Sequence, residues 1–189
     1  MARLMYVTGG ARSGKSGFAE KLAKGYEQVT YIATSLAGDD EMKARIAHHQ
    51  AQRPAHWRTV EAPIDVVAAY QESDAAMSGH AACLFDCVTM WVTNQMFSDL
   101  TIDWDTIPNA DIDIQEAKIR ENTAQLIKVV QSGTADMIVV TNELGMGVVP
   151  AYRLGRIFRD IAGRVNQQIA QVADRAVLMV SGLPVELKP

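Results

Sequence analysis

The chain has 189 residues, 48% hydrophobic and 21% charged, with a net charge of −4. That length suits one domain with a substantial core, and nothing in the mildly acidic balance suggests nucleic acid or an anionic membrane as the main partner. No apolar run reaches membrane-spanning length, because Asp86 and Asp136 interrupt or flank the best candidates, and the first strand begins too early to leave room for a signal peptide.

Leu4-Met5-Tyr6-Val7 is a short apolar run of the kind that forms a buried parallel strand. It leads into Thr8-Gly9-Gly10-Ala11-Arg12-Ser13-Gly14-Lys15-Ser16, a full match to the phosphate-loop pattern G-x-x-x-x-G-K-[ST]. Glycines at both ends let the backbone curl so that successive N–H groups face an anion. A helix starting near Gly14 adds its unpaired N–H groups and the positive end of its dipole. In this pattern Lys15 reaches the β- and γ-phosphates, and the Ser16 hydroxyl completes the coordination of Mg²⁺. Phe18, Ala19, Leu22 and Ala23 then recur at helical spacing. Strand, glycine loop and helix together predict a site for a nucleoside triphosphate.

Val29 to Ala33 reads as a second strand ending at Thr34-Ser35, and Glu41 to Gln52 as a helix started by Asp39 or Asp40 and stopped before Arg53-Pro54. Within it, His48 and His49 stand side by side, one turn from Arg45 and just before Arg53. Adjacent helical residues point about 100° apart, so at most one imidazole aims squarely at a common site. Imidazole is a good nucleophile towards phosphorus, and guanidinium groups stabilise the charge that develops; a polar helix face is the alternative.

Trp57 to Val60 alternates as a short strand, and Ile64 to Tyr70 has helical spacing. Ala81 to Phe85 is a buried strand ending at Asp86, where a second acid orients Mg²⁺ or, alternatively, caps the next helix. Cys83 and Cys87 flank that acid. With no second cysteine pair to complete a metal site, they read as buried reduced thiols of a cytoplasmic protein.

Thr89 to Phe97 looks helical, Ser98 to Ile114 reads as a loop or lid-like excursion, and Glu116 to Val130 as an amphipathic helix. Met137 to Thr141 is a further buried strand. Glu143 follows it, before Gly145 and Gly147, placed either to contact Mg²⁺ or activate a hydroxyl or to be an exposed acid in a glycine-rich connection. Arg153 to Asp174 carries a long helical pattern, and Val177 to Ser181 reads as the strand that closes the sheet, with a polar tail after it. Strands alternating with helices predict an α/β, single-domain phosphate-loop fold over 1–189, with a mostly parallel sheet and helices on both faces. Ligands gather at the C-terminal strand edges of such sheets.

Together these segments resemble the bifunctional adenosylcobinamide kinase / adenosylcobinamide-phosphate guanylyltransferase family of cobalamin assembly. The likeness rests on the phosphate loop, Tyr31-Ile32-Ala33-Thr34, Arg45-Ile46-x-x-His49-x-x-x-Arg53-Pro54, and Asp86-Cys87-x-Thr89-x-Trp91-x-x-Asn94. It continues through Val140-Thr141-Asn142-Glu143-x-Gly145-x-Gly147-x-Val149-Pro150 and Phe158-Arg159-Asp160-x-x-Gly163-x-x-Asn166-Gln167. The resemblance implies a RecA-like fold and two reactions. ATP or GTP phosphorylates the aminopropanol hydroxyl of the corrinoid, and GMP is then transferred from GTP onto that phosphate, with release of pyrophosphate. It implies that the transfer passes through a guanylylated histidine, a role falling on His49, or on His48 if the register differs, with Lys15 as the other catalytic group. The implied nucleotide site comprises Gly9, Gly10, Ala11, Arg12, Ser13, Gly14, Lys15, Ser16, Thr34, Ser35, Arg53, Glu61 and Asp86, with Ser16 and Asp86 on Mg²⁺. A homotrimer with sites between subunits is implied as well.

Two other classes compete. A simpler small-molecule kinase would use the histidines structurally. A nucleotide-dependent switch is disfavoured because the chain has no Asn-Lys-x-Asp guanine-reading segment.

Overall fold

In the computed structural model, residues 1–36 and 53–189 are described. Seven strands form one sheet: β1 (Leu4–Gly9), β2 (Gln28–Ala33), β3 (Arg58–Glu61), β4 (Ala81–Asp86), β5 (Asp136–Val140), β6 (Arg175–Val180) and β7 (Leu183–Lys188). Their order is β3-β2-β4-β5-β1-β6-β7, parallel except for the last pair. The described helices are α1 (Lys15–Ala23), α2 (Val66–Ala76), α3 (Val88–Met96), α4 (Asn109–Ser132) and α5 (Arg153–Val172).

The central strands are apolar throughout because both faces are covered. Successive side chains alternate. Phe85 and Val139 join Tyr6, Trp91 and Ile119 in the core beneath α2 to α5, while Leu84 and Ile138 pack with Ala19, Ala23 and Trp57 on the α1 side. Small alanines on α1 let the helix lie close to the sheet, which holds its N-terminus at the end of β1.

The expected helix over 41–52, its cap at Asp39 or Asp40, Arg45, His48 and His49 lie outside the described residues. Two expectations are corrected. The stretch from Ser98 to Ile114 is not a loop throughout. Trp104 is buried and donates from its indole N–H to the Met96 carbonyl at 3.1 Å. Arg153 donates to the carbonyls of Asp105 and Ile107 at 2.9 and 2.6 Å, fastening the connection to α5. α4 already starts at Asn109, directly after Pro108; its first turns face solvent, so their polar residues mimic a loop.

The C-terminus is the second correction. β6 does not close the sheet, because β7 pairs antiparallel with it. Ser181 and Gly182, at φ 51° and 85°, make the two-residue turn whose doubly positive φ matches the twist of a hairpin.

Candidate active site

The phosphate loop is shaped by steric necessity. Gly9 ends β1 at φ 156°, and a Cβ there would stand 2.6 Å from the Met179 carbonyl oxygen on β6. Arg12 and Gly14, at φ 57° and 92°, then turn the chain through the left-handed region twice. Ser13 N–H donates to the Gly10 carbonyl at 3.2 Å, and Gly182 N–H donates to the Ser13 carbonyl at 3.0 Å, so the β6–β7 turn braces the loop from outside. α1 begins at Lys15 with Gly14 as N-cap and no side-chain cap, which leaves its first N–H groups to an anion. The Lys15 ammonium lies across the loop, donating to the Gly10 carbonyl at 2.9 Å. Ser16 is half-buried in the first turn of α1.

The parallel strands β3, β2, β4, β5 and β1 end on one edge in that order. At about 4.8 Å per strand, Asp86 on β4 stands two steps, about 10 Å, from β1, whereas Glu61 on β3 stands about 19 Å away. Asp86 accepts a hydrogen bond from the Tyr31 hydroxyl at 2.8 Å. The Arg53 guanidinium stacks 3.2 Å from the centroid of the same ring. Its Nε and Nη1 are buried and make no hydrogen bond among the described residues. Burial, and then the Asp86 carboxylate, push the Tyr31 phenol far above its ordinary pKa, so it remains a donor. Asp86 does not cap α3, whose N-cap is Cys87, with no side-chain cap.

Behind this edge lies a layer of satisfied polar groups. Thr34 is fully buried; its hydroxyl accepts from Cys87 N–H and donates to the Cys87 carbonyl, both at 2.8 Å. Asn94 donates to the carbonyls of Thr34 and Pro63 at 2.8 and 2.9 Å. Just past β5, Thr141 donates to Asn166 Oδ1 at 2.8 Å, and Asn166 donates onward to the Asn142 carbonyl at 3.0 Å. Glu143 N–H donates to the Gly9 carbonyl at 3.0 Å, tying that acid to the root of the phosphate loop. Burial pushes the thiols of Cys83 and Cys87 up to about 12 and about 11, so both are protonated.

The family model described as cobinamide kinase / cobinamide phosphate guanyltransferase matches residues 5–187. The chain belongs to this family. It is 46% identical over 190 residues to the bifunctional adenosylcobalamin biosynthesis protein CobU of Escherichia coli strain K12, covering 98% of this chain and 99% of that one. The protein of the same name from Salmonella typhimurium is 46% identical over 188 residues, with 98% and 99% covered. CobP of Pseudomonas aeruginosa is 39% identical over 184 residues, with 96% and 95% covered. Among solved structures, a prototypical ATPase from a bacterial type III secretion system superposes with a TM-score of 0.60 at 10% identity. The match covers 97% of this chain and 56% of the ATPase, and it shows the phosphate-loop fold alone.

In this member of the cobinamide kinase family, the described edge brings the loop from Gly9 to Ser16 and Asp86 to one side, with Arg53 and Tyr31 next to the acid. Thr34 is turned away from solvent, its side chain spent on Cys87. Ser35 is half-buried, and Glu61 is exposed at the far edge. His49 lies outside the described residues. Sequence reasoning quoted Tyr31 and Asn94 within the family likeness but assigned them no role. An invariable signal for them is absent from one sequence, since each acts on a residue 55 or 60 positions away.

Proposed function

We propose that the chain carries both reactions: phosphorylation of cobinamide with ATP or GTP, and guanylylation of cobinamide phosphate by GTP through His49. The observation that carries this reading is the stack of Arg53 on Tyr31, whose hydroxyl holds Asp86. Arg53 ends the histidine segment, and His49 lies four residues before it, within about 14 Å by chain length alone. A nucleophile on that tether, an acid at the strand end and the Lys15 loop serve one triphosphate.

In the first reaction the acceptor oxygen bonds to the γ-phosphorus, the bond to the β–γ bridging oxygen breaks, and the electron pair leaves on the diphosphate. The hydroxyl proton goes to a base, a role that suits Glu143, which lines a cleft with Gly10 to Ser13. In the second, an imidazole nitrogen bonds to the α-phosphorus of GTP and pyrophosphate leaves. An oxygen of cobinamide phosphate then displaces the imidazole, giving the guanylylated product and free His49. Lys15 and the loop N–H groups stabilise charge in both displacements, and Arg53 adds to them at the histidine side.

Ser16 and Asp86 supply hard oxygen donors of the kind Mg²⁺ takes, few enough to leave room for phosphate oxygens and water. When bound, Mg²⁺ neutralises phosphate charge. Thr34 acts by positioning Asp86 and Cys87, to which its N–H and hydroxyl are bonded, and Ser35 lines the site beside it, while Glu61 fits the nucleoside end of a nucleotide lying along the edge. The chain works as one catalytic domain over 1–189, in the cytoplasm, as a homotrimer. Exposed Met146, Val148, Val149 and Tyr152 support such assembly.

The test is product analysis with cobinamide, GTP and Mg²⁺. The expected products are guanylylated cobinamide phosphate and pyrophosphate, and His49→Ala stops at cobinamide phosphate. A wild-type enzyme that also stops there is a simple kinase.

A further inference from the structure

We propose that the cleft between α5 and the C-terminal half of β1 is the acceptor subsite, taking the substrate's alcohol and then its phosphate monoester. The proposal rests on the two-reaction reading above and adds where the acceptor binds. The cleft encloses about 570 Å³, within the range of small-ligand sites and enough for an alkanol phosphate arm while the macrocycle stays outside. Arg159, Gly163, Gln167 and Ala170 line it from α5, at spacings that put them on one helix face.

Gly163 is the informative residue. A glycine in the middle of a helix weakens it relative to alanine. Among the described residues no packing requires one here, because a Cβ at 163 would meet nothing within 4 Å. The missing side chain therefore leaves room for something other than this fold. Arg159 and Arg164 line the cleft together with Asp160 and Glu143, and of the two cations Arg159 is the one available to an anion. Arg164 is committed to Glu116 at 2.5 Å, a carboxylate only 12% exposed. Among the described residues Arg159 is held only by the neighbouring Asp160, at 3.2 Å, and that carboxylate is 50% exposed. Such a surface pair is weak and exchangeable, so a phosphate can take the place of Asp160.

Position links the cleft to the chemistry. Glu143 lines this cleft and also a smaller one, about 300 Å³, formed by Gly10 to Ser13 and β6. An acceptor lying along α5 thus presents its oxygen past Glu143 to the phosphate loop. Burial, and more weakly the Glu143 charge, push the nearby Tyr6 phenol up to about 12, so Tyr6 offers a hydrogen bond and no charge.

The experiment uses full-length Gly163→Leu, which fills the cleft from a position with open space, together with Arg159→Ala and Arg159→Lys. The KM for cobinamide phosphate is measured with GTP in excess, and GMP-adduct formation from GTP alone, which needs no acceptor, serves as the folding control. The expected result is a KM raised at least tenfold in Gly163→Leu and Arg159→Ala, partial recovery in Arg159→Lys, and adduct formation within twofold of wild type. An unchanged KM in both variants overturns the proposal. So does a KM change that tracks a change in solution mass, which would assign the cleft to contact between copies. If wild type forms no adduct, the two-reaction reading fails instead. The same KM comparison for phosphorylation of cobinamide by ATP, with circular dichroism as the folding control, then decides the cleft.

Discussion

Tyr31 sets the geometry of the acid at the centre of the site. Its hydroxyl fixes one oxygen of Asp86, and its ring carries Arg53, so one side chain orders two charged groups of opposite sign. Tyr31→Phe keeps the ring and removes the hydrogen bond. A bond to a charged group contributes about 1.5–3 kcal/mol, so kcat/KM should fall roughly tenfold or more while the thermal midpoint moves by only a few degrees. Steady-state kinetics beside a melting curve checks this, and a full-activity Phe variant would leave Asp86 positioned by other means. Far from the site, Asp136 joins β5 to the N-terminus. Burial raises its pKa, but the Arg3 N–H, the Tyr26 hydroxyl and the Arg3 guanidinium outweigh that and hold it below the ordinary carboxyl range. Arg3 is 61% exposed, so the N–H and phenol contacts carry most of the effect. A folded pKa below the unfolded value of about 3.9 contributes stability that is complete above that pH and is lost as pH falls through the folded pKa. Asp136→Asn should cost about 2 kcal/mol at pH 7, with the gap to wild type closing below about pH 4 in urea unfolding series.

Elements differ in how openly the sequence announces them. The strands beside the site were legible because a doubly covered strand must be apolar throughout, as in Ala81 to Phe85 and Met137 to Val140. The phosphate loop was legible because its glycines answer to geometry: Gly9 faces a backbone oxygen and Gly14 takes a positive φ. β7 went unread, although Leu183, Val185 and Leu187 alternate with Pro184, Glu186 and Lys188 and Ser181-Gly182 is a hairpin turn. Its apolar residues are exposed, so no burial signal stood out from the polar tail. The start of α4 was masked by its solvent-facing acids. The Arg53–Tyr31–Asp86 arrangement depends on strand pairing between β2 and β4 and could not be read from spacing. Arg153 makes the same point for the connection before α4, where it donates to carbonyls of residues 105 and 107 and to Asn109 Oδ1. Arg153→Ala leaves those acceptors to water and should lower unfolding free energy by about 2 kcal/mol, read from urea denaturation. No loss would mean that burial of Trp104 alone secures the segment.

At the scale of the whole molecule, strand order turns separate motifs into one edge. β5 lies between the strand of Asp86 and the strand of the phosphate loop, so Asp86 and the loop face one edge, while Glu143 lines both the cleft at the loop and the α5 cleft. Arg53 stands at that edge, stacked on Tyr31. A single triphosphate site can then give up its γ-phosphate to an alcohol or its α-phosphate to an imidazole, depending on which nucleophile is presented. The central claim is that the imidazole is His49. Intact-protein mass spectrometry after incubation with GTP and Mg²⁺ tests it most directly, comparing wild type with His49→Ala and His48→Ala. The account predicts an acid-labile GMP adduct in wild type and His48→Ala and none in His49→Ala. An adduct that survives in His49→Ala, or that no sample forms, would contradict it.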